Sequence, residues 1–342
     1  MRKASALMLS AVTVLSLAAP TATAAVTDND RAKWAIGYVL GSRNDDGSFP
    51  GFSAIGSTAD ALVSMAATNR GERAVGAAVT FLRENQDQIT GVGLTAKVVM
   101  GLVAVNSDPR DFEGRDLVAE ITGTIQPDGR LGEGTAVFDH ALGLLALRAA
   151  GESIGAQPYV WLVNAQCEDG GWQYDEPAAE GDDEHCVSDP ATDYFGSDTN
   201  TTALAVMALQ GQAGPAPDVN PFRFFRQLRD DIKGGWGYTW SFGLTDTNST
   251  SLVIQAYAAA GKDLPDGAKK ALRRLQYGPC SSKGGAFAFT YSDENEDGRY
   301  SRSERTGPDA GASIAGVLGL LEKPLPLAGR DVTRGAPKVN CG

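Results

Sequence analysis

The sequence predicts an all-α fold, an α/α toroid in which about six helix–turn–helix repeats close into an (α/α)6 barrel. Two observations carry that prediction. An alanine-rich apolar run recurs six times along the chain, and a more amphipathic run precedes each copy, with a glycine turn between the two. Self-similarity of this kind marks a repeat architecture, because one such unit cannot bury its apolar face alone.

The apolar runs fall at 57–65, 94–102, 138–147, 198–209, 246–257 and 309–318. The clearest begin Asp198-Thr199-Asn200-Thr201-Thr202 and Asp246-Thr247-Asn248-Ser249-Thr250. They are apolar almost all round, as a helix buried on most sides must be. A polar start suits an N-cap, where a side-chain oxygen accepts the free amide hydrogens of the first turn. The amphipathic runs are expected at 31–42, 76–85, 115–125, 158–165, 221–228 and 267–276, with Arg223, Arg226, Lys269, Lys270, Arg273 and Arg274 facing outward. A closed ring accounts for them better than an open solenoid, which needs capping repeats at its ends.

The turns read Asp46-Gly47-Ser48-Phe49, Asp128-Gly129-Arg130-Leu131, Gln166-Cys167-Glu168-Asp169-Gly170-Gly171-Trp172, Gly234-Gly235-Trp236 and Gly284-Gly285-Ala286-Phe287. Glycine supplies the positive φ of a tight turn, and the aromatic after it can wedge between helices. The second repeat keeps only Gly91. The run from Gln166 to Trp172, followed by an alanine-rich helix, resembles the QW-type repeat of squalene and oxidosqualene cyclases. Over 31–321 the chain is thus similar to the prenyltransferase/squalene-cyclase (terpenoid cyclase) repeat superfamily, and to the barrel of cobalamin carriers of the transcobalamin and intrinsic-factor type. That resemblance implies the toroid and says little about activity.

The superfamily's cyclases use an Asp-x-Asp-Asp motif, which this chain lacks. Its prenyltransferases hold zinc with Asp, Cys and His; with His140 and His185 the only histidines, no zinc is expected. The expectation is a ligand-binding or interaction protein without the superfamily's catalytic motifs. The alternative is a terpenoid or glycan-active enzyme with an unrecognised site at the barrel mouth. Asp139 beside His140 is the most enzyme-like pair. Asp198, Thr199, Asn200, Asp246, Thr247, Asn248 and Asp309 form the expected ligand-binding rim, with Thr202 and Thr250 beside them. The ligand is expected to be small and apolar or corrinoid-like, or else a protein partner.

Residues 1–24 read as a signal peptide: basic Arg2 and Lys3, an apolar stretch, then Ala22-Thr23-Ala24 before Ala25. The protein is therefore expected outside the cell, as one toroid domain over 25–330 with a tail at 331–342. No later segment is long enough to span a membrane. A net charge of −12 argues against nucleic acid as a partner. Four cysteines in an exported chain read as two disulfides, expected as Cys167–Cys186 and Cys280–Cys341, the second tying the tail to the body. The run 293–304 matches a twelve-residue EF-hand loop. Asp293, Asn295, Asp297, Arg299, Ser301 and Glu304 are its expected calcium ligands, and Gly298 makes its sharp turn. The preceding 286–291 reads as extended.

Overall fold

The computed structural model describes residues 25–134, 136–175, 186, 196–212, 214–239, 242–292 and 298–338. Among them, helices alternate between an outer and an inner layer. The outer and inner pairs are α1 (Asp28–Gly41) with α2 (Ala54–Thr68), α3 (Glu72–Glu84) with α4 (Val92–Ala104) and α5 (Leu117–Thr122) with α6 (Val137–Ala149). They continue as α7 (Gln157–Asn164) with α8 (Thr199–Leu209), α9 (Pro221–Gln227) with α10 (Thr247–Ala259) and α11 (Ala268–Leu275) with α12 (Ala310–Leu321). Every expected helix is present. Most run a few residues longer than expected, and two outer ones have a clear cause for their bounds. The run expected at 115–125 shrinks to α5, because the Asp116 side chain captures the Val118 and Ala119 amides at one end and Gly123 stops it at the other. The run expected at 76–85 begins at Glu72, where the amides of Gly71 and Glu72 donate to the carbonyl of Arg334 in the distant tail.

Each inner helix packs on the next, and α12 returns to α2, so the ring closes. The inner helices run parallel: Gly56 lies against Leu94 and Gly93 against Asp139, each pair near two N-termini. Small residues set the spacing. A Cβ at Gly101 would lie 2.8 Å from the carbonyl oxygen of Ala59, so α2 and α4 approach closely only without one. The seam is stitched by Ser64 Oγ donating to Ile314 O (3.0 Å) and by Gln276 Nε2 donating to Arg31 O (2.9 Å). Asp28 adds ion pairs with Lys269 and Arg273.

The glycine turns lean on the following outer helix. Gly285 has φ +83°, and a Cβ there would lie 2.7 Å from the Cβ of Trp34 on α1. The tryptophans then cap the outer helices from below. Trp172 Nε1 donates to Leu162 O and Trp236 Nε1 to Phe225 O, each at 2.7 Å, and both rings are fully buried. Two short antiparallel pairs follow: β1 (Trp172–Gln173) with β2 (Ser197–Asp198), and β3 (Phe287–Ala288) with β4 (Pro308–Asp309). Cys167 and Cys186 are disulfide-bonded, as expected. Cys341, and with it the Cys280–Cys341 pairing, lies outside the described residues, as does the segment 1–24.

Past α12 the chain crosses the C-terminal ends of the inner helices. Arg330 N donates to Ala104 O, and Thr333 pairs with Asn69. Arg148 donates to Met207 O, Ala208 O and Gln210 O at the end of α8, and also to Leu325 O. One end of the barrel is thereby strapped shut. No described helix is long and apolar enough to cross a membrane.

Candidate functional site

The other end, where the inner helices begin, holds the expected rim. Most of that rim serves the fold. In five repeats the amide after the glycine turn donates to a side chain in the first turns of the inner helix. Phe49 N meets Thr58 Oγ1 at 2.9 Å, Trp172 N meets Thr202 Oγ1 at 2.9 Å and Trp236 N meets Thr250 Oγ1 at 3.0 Å. Phe287 N meets Ser313 Oγ at 2.9 Å, and in the third repeat Leu131 N meets His140 Nδ1 at 3.2 Å. A buried amide must find an acceptor, and these side chains supply it. Thr202 and Thr250 are thus clamps under the turns rather than ligand contacts.

His140 is the same clamp in imidazole form. Its Nε2 donates to Pro158 O (2.9 Å) while Nδ1 accepts from Leu131, which defines the neutral tautomer. Burial pulls its pKa down to about 4, so it stays neutral in ordinary buffers. With no exposed surface and both nitrogens engaged, it has no route to a substrate. Asp139 and His140, adjacent in sequence, make no hydrogen bond to each other. Thr199 and Thr247 are also fully buried, their hydroxyls donating to Gly237 O (2.8 Å) and Ala288 O (2.6 Å). Asp309 is exposed and caps α12 through Ala312 N.

Asp246 and Asp198 are buried caps that differ in one respect. Both oxygens of Asp246 are engaged, by the Ser249 amide and the Ser249 hydroxyl, each at 2.7 Å. Asp198 Oδ1 accepts from the amides of Asn200 (2.9 Å) and Thr201 (2.8 Å), but its Oδ2, equally buried, has no hydrogen-bond partner. Burial raises both carboxyls, Asp246 to about 6 and Asp198 to about 7, against the pull of their cap bonds. Asn200 Oδ1 and Asn248 Oδ1, at matching positions of α8 and α10, are buried without partners too.

Against the start of α6 lies Tyr174. Phe138 N donates to Tyr174 O, and the two rings stack with centroids 5.3 Å apart. Burial raises the phenol's pKa, and the charges of Asp139, Asp175 and Asp198 raise it further. Burial likewise raises Asp139, which Lys97 partly offsets; Lys97 itself is paired with Asp60 at 2.8 Å. Tyr174 was not expected from sequence. Its signal is a period-two alternation, Trp172-Gln173-Tyr174, repeated as Trp236-Gly237-Tyr238 and Phe287-Ala288-Phe289. The outer member of each triplet is laced to the preceding inner helix, Thr199 N donating to Tyr238 O and Thr247 N to Phe289 O. Phe52, Tyr174, Phe242 and Phe289 are all exposed on the segments that precede inner helices. The mouth therefore has an aromatic rim above a polar floor.

Of the expected calcium ligands, Asp293, Asn295 and Asp297 lie outside the described residues. The flanks of that loop are held together: Tyr291 bridges Arg305, and Ser292 N donates to Glu304 O at 2.6 Å. Glu304 is buried and forms a capping box with Ser301. Lys233 donates to the carbonyl of Arg299 and sits over the rings of Tyr291 and Tyr300. Among the described residues no three His, Cys, Asp or Glu side chains gather as a metal site.

No family model matches the chain, and no curated protein matches it. Solved structures do match. The type II terpene cyclase MstE from Scytonema aligns at 15% identity over 86% of this chain and 97% of its own, with a TM-score of 0.55. A protein from Actinoplanes aligns at 15% identity over 86% and 98%, with a TM-score of 0.54. An inactive variant of an α-1,6-mannanase of Salegentibacter in complex with α-1,6-mannotriose aligns at 13% identity over 86% and 98%, with a TM-score of 0.51. At such identities the likeness establishes the fold. The chain has the α/α-toroid architecture found in terpene cyclases and glycosidases alike.

Proposed function

We propose that this chain is an exported ligand-binding toroid whose site is the mouth at the N-terminal ends of α6, α8 and α10. The observation that carries the reading is Asp198 at the start of α8, a buried carboxylate whose Oδ2 accepts no hydrogen bond, at the barrel end where the rings of Phe52, Tyr174, Phe242 and Phe289 are exposed. Leaving such an atom unpaired is costly, and a bound molecule that supplies a donor removes the cost. Small-molecule sites combine apolar walls with a few convergent polar groups in this way. Export is supported by the pattern in 1–24 and by the Cys167–Cys186 disulfide. The ligands left open by the sequence, small and apolar, corrinoid-like or a protein, would all meet the aromatic rim first. Native mass spectrometry of protein purified from its own culture tests the reading. A retained mass is expected for the wild type and is lost in Tyr174→Ala; an equal retained mass in both places the ligand elsewhere.

Calcium is proposed at 293–304, supported by the EF-hand spacing and by the Ser292–Glu304 bond that brings the loop's ends together. The second functional reading is catalysis at the same mouth, favoured by Asp198, whose carboxyl is still half protonated near neutrality. Both MstE and the mannanase suggest probes. Consumption of geranylgeranyl dihydroxybenzoate or α-1,6-mannotriose, lost in Asp198→Asn, would favour that reading.

A further inference from the structure

We propose that the outer wall carries a second site, for a phosphate or sulfate group, where Arg31, Lys283, Arg302 and Arg305 gather around Gln276 and Tyr277. It is independent of the mouth and lies at the seam where α11, the last outer helix, meets α1, the first. Arg31 sits in the first turn of α1, and Gln276 and Tyr277 follow α11. Lys283 precedes the last glycine turn, and a short 3-10 turn, Arg302–Glu304, leads to Arg305.

Direct contacts draw these cations together. Arg31 Nη1 donates to Gln276 Oε1 (3.3 Å), and Arg305 Nη1 donates to the Gln276 carbonyl (2.7 Å). The next residue, Tyr277, is buried under two charges at once. The Arg305 guanidinium carbon lies 4.0 Å from its ring centroid and Lys283 Nζ 4.2 Å. Lys283 Nζ also donates to the Tyr277 hydroxyl (3.2 Å), whose own hydrogen goes to Thr306 O (2.6 Å). Arg305 Nε donates to the Arg302 carbonyl (2.7 Å), which ties the 3-10 turn to the group. An aromatic ring holds a cation in place without neutralising it.

No carboxylate among the described residues forms an ion pair with any of the four. Asp28, which acts on Arg31, is committed to Lys269 and Arg273. The cations instead press on one another. Burial lowers the pKa of Arg31, and Arg273 and Arg302 lower it further; burial and Arg302 do the same to Arg305. The surroundings sharpen the contrast. Residues 25–220 carry 11 Lys and Arg against 29 Asp and Glu, whereas 221–305 carry 13 against 10, so this arc of an acidic ring is its basic side. Donors are also left over. Arg31 Nη2, Arg305 Nη2 and the Arg302 guanidinium make no hydrogen bond among the described residues, and Arg302 is exposed. A tetrahedral dianion presents acceptors on every side, and guanidinium forks match its oxygen pairs.

The acidic side chains of 293–297 are near in sequence and lie outside the described residues, so the first question for experiment is whether the cluster is open to an anion. Isothermal calorimetry of the full mature chain with inorganic phosphate, sulfate and glycerol 3-phosphate answers it, at an ionic strength held constant with chloride. Acetate is the planar, monovalent control. The wild type should bind phosphate and sulfate more tightly than acetate. Lys283→Gln combined with Arg302→Gln should weaken both by roughly tenfold to a hundredfold, as loss of charged hydrogen-bond donors does, with the melting midpoint nearly unmoved. Arg302→Lys alone should keep most of the affinity. The pair Arg223→Gln and Arg226→Gln removes the same charge from exposed positions of α9 in the same basic stretch, and it should change nothing. An equal loss there would reduce the binding to diffuse attraction and overturn the site. No binding by the wild type, equal affinity for acetate, or unchanged binding in the Lys283/Arg302 double variant overturns it as well. Tighter binding of the free ion assigns the site to inorganic anions, and equal or tighter binding of the ester assigns it to the group as carried on a larger molecule; both uphold the oxyanion. Tyr174→Ala at the mouth should leave phosphate binding unchanged, so the two sites stand or fall separately.

Discussion

The two ends of the inner barrel are built from the same six helices and have opposite character. At the C-terminal end, Arg148 and the tail tie helix ends together. Arg148, half-buried, spans three carbonyls at the end of α8 and one in the tail, and the tail's own carbonyl at Arg334 takes the amides that start α3. At the N-terminal end, five of the six repeats satisfy their turns with Thr, Ser or His, yet Asp198 Oδ2 and the Asn200 and Asn248 oxygens stay unpaired.

The strongest test of this contrast asks whether the ends exist without the ring. Each inner helix buries its flanks against two neighbours, so fragments 25–155 and 156–342 should both fail to fold. Circular dichroism and gel filtration would show aggregated or molten products, and two stable monomeric halves would disprove closure as the source of stability. The next largest effect falls at the strapped end. Arg148→Met leaves the carbonyls of Met207, Ala208, Gln210 and Leu325 without their donor, at a cost of about 3 kcal/mol in urea unfolding.

The mouth should respond instead to pH. Asp198 is raised from 3.8 to about 7, so the folded state holds a proton that the unfolded chain releases. Its contribution to stability is fully present below pH 4 and is lost as pH rises through 7. The stability of Asp198→Asn relative to wild type should therefore increase from pH 4 to pH 7 and then level off. His140 works in the opposite sense: its contribution is present above pH 6.5 and fades as pH falls toward 4. Both proteins carry His140, so the difference between them removes it. A flat difference would mean that Asp198 does not titrate in this range.

A smaller effect is expected from the loop beside the mouth. Calcium should raise the melting midpoint of the wild type by a few degrees and leave Glu304→Gln nearly unmoved. Glutamine preserves the capping box with Ser301, so that comparison isolates the charge. The least effect on stability belongs to the rim. Phe242→Ala should stay within about 0.5 kcal/mol of wild type while reducing ligand retention, because an exposed ring contributes to binding and little to the fold.

Periodicity and turn chemistry were enough to place the helices and to order them as outer, turn and inner. They are local properties, and the alternation of buried and half-buried runs is written into each segment. The same locality explains the errors at 115–125 and 76–85. Asp116 claimed a cap that the apolar pattern did not display, and the start of α3 is held by Arg334, more than 250 residues away in sequence. Asp198, Asp246 and Asp309 were legible as helix starts, since an acidic residue before an apolar run carries the N-cap signal on its face. What separates them was not legible. Only the assembled ring decides that Asp309 is exposed, that Asp246 is satisfied by Ser249 and that Asp198 is buried with an oxygen to spare. The roles of the hydroxyls and of His140 were tertiary decisions as well. A Thr at the start of a helix has the same composition whether it faces a ligand or an amide from the preceding turn, and the packing of that turn against the helix settles which. Sequence by itself determined the repeat and its two layers; three-dimensional closure determined which polar atoms are left unpaired, because burial and pairing belong to neighbours that the chain meets only when the ring is shut.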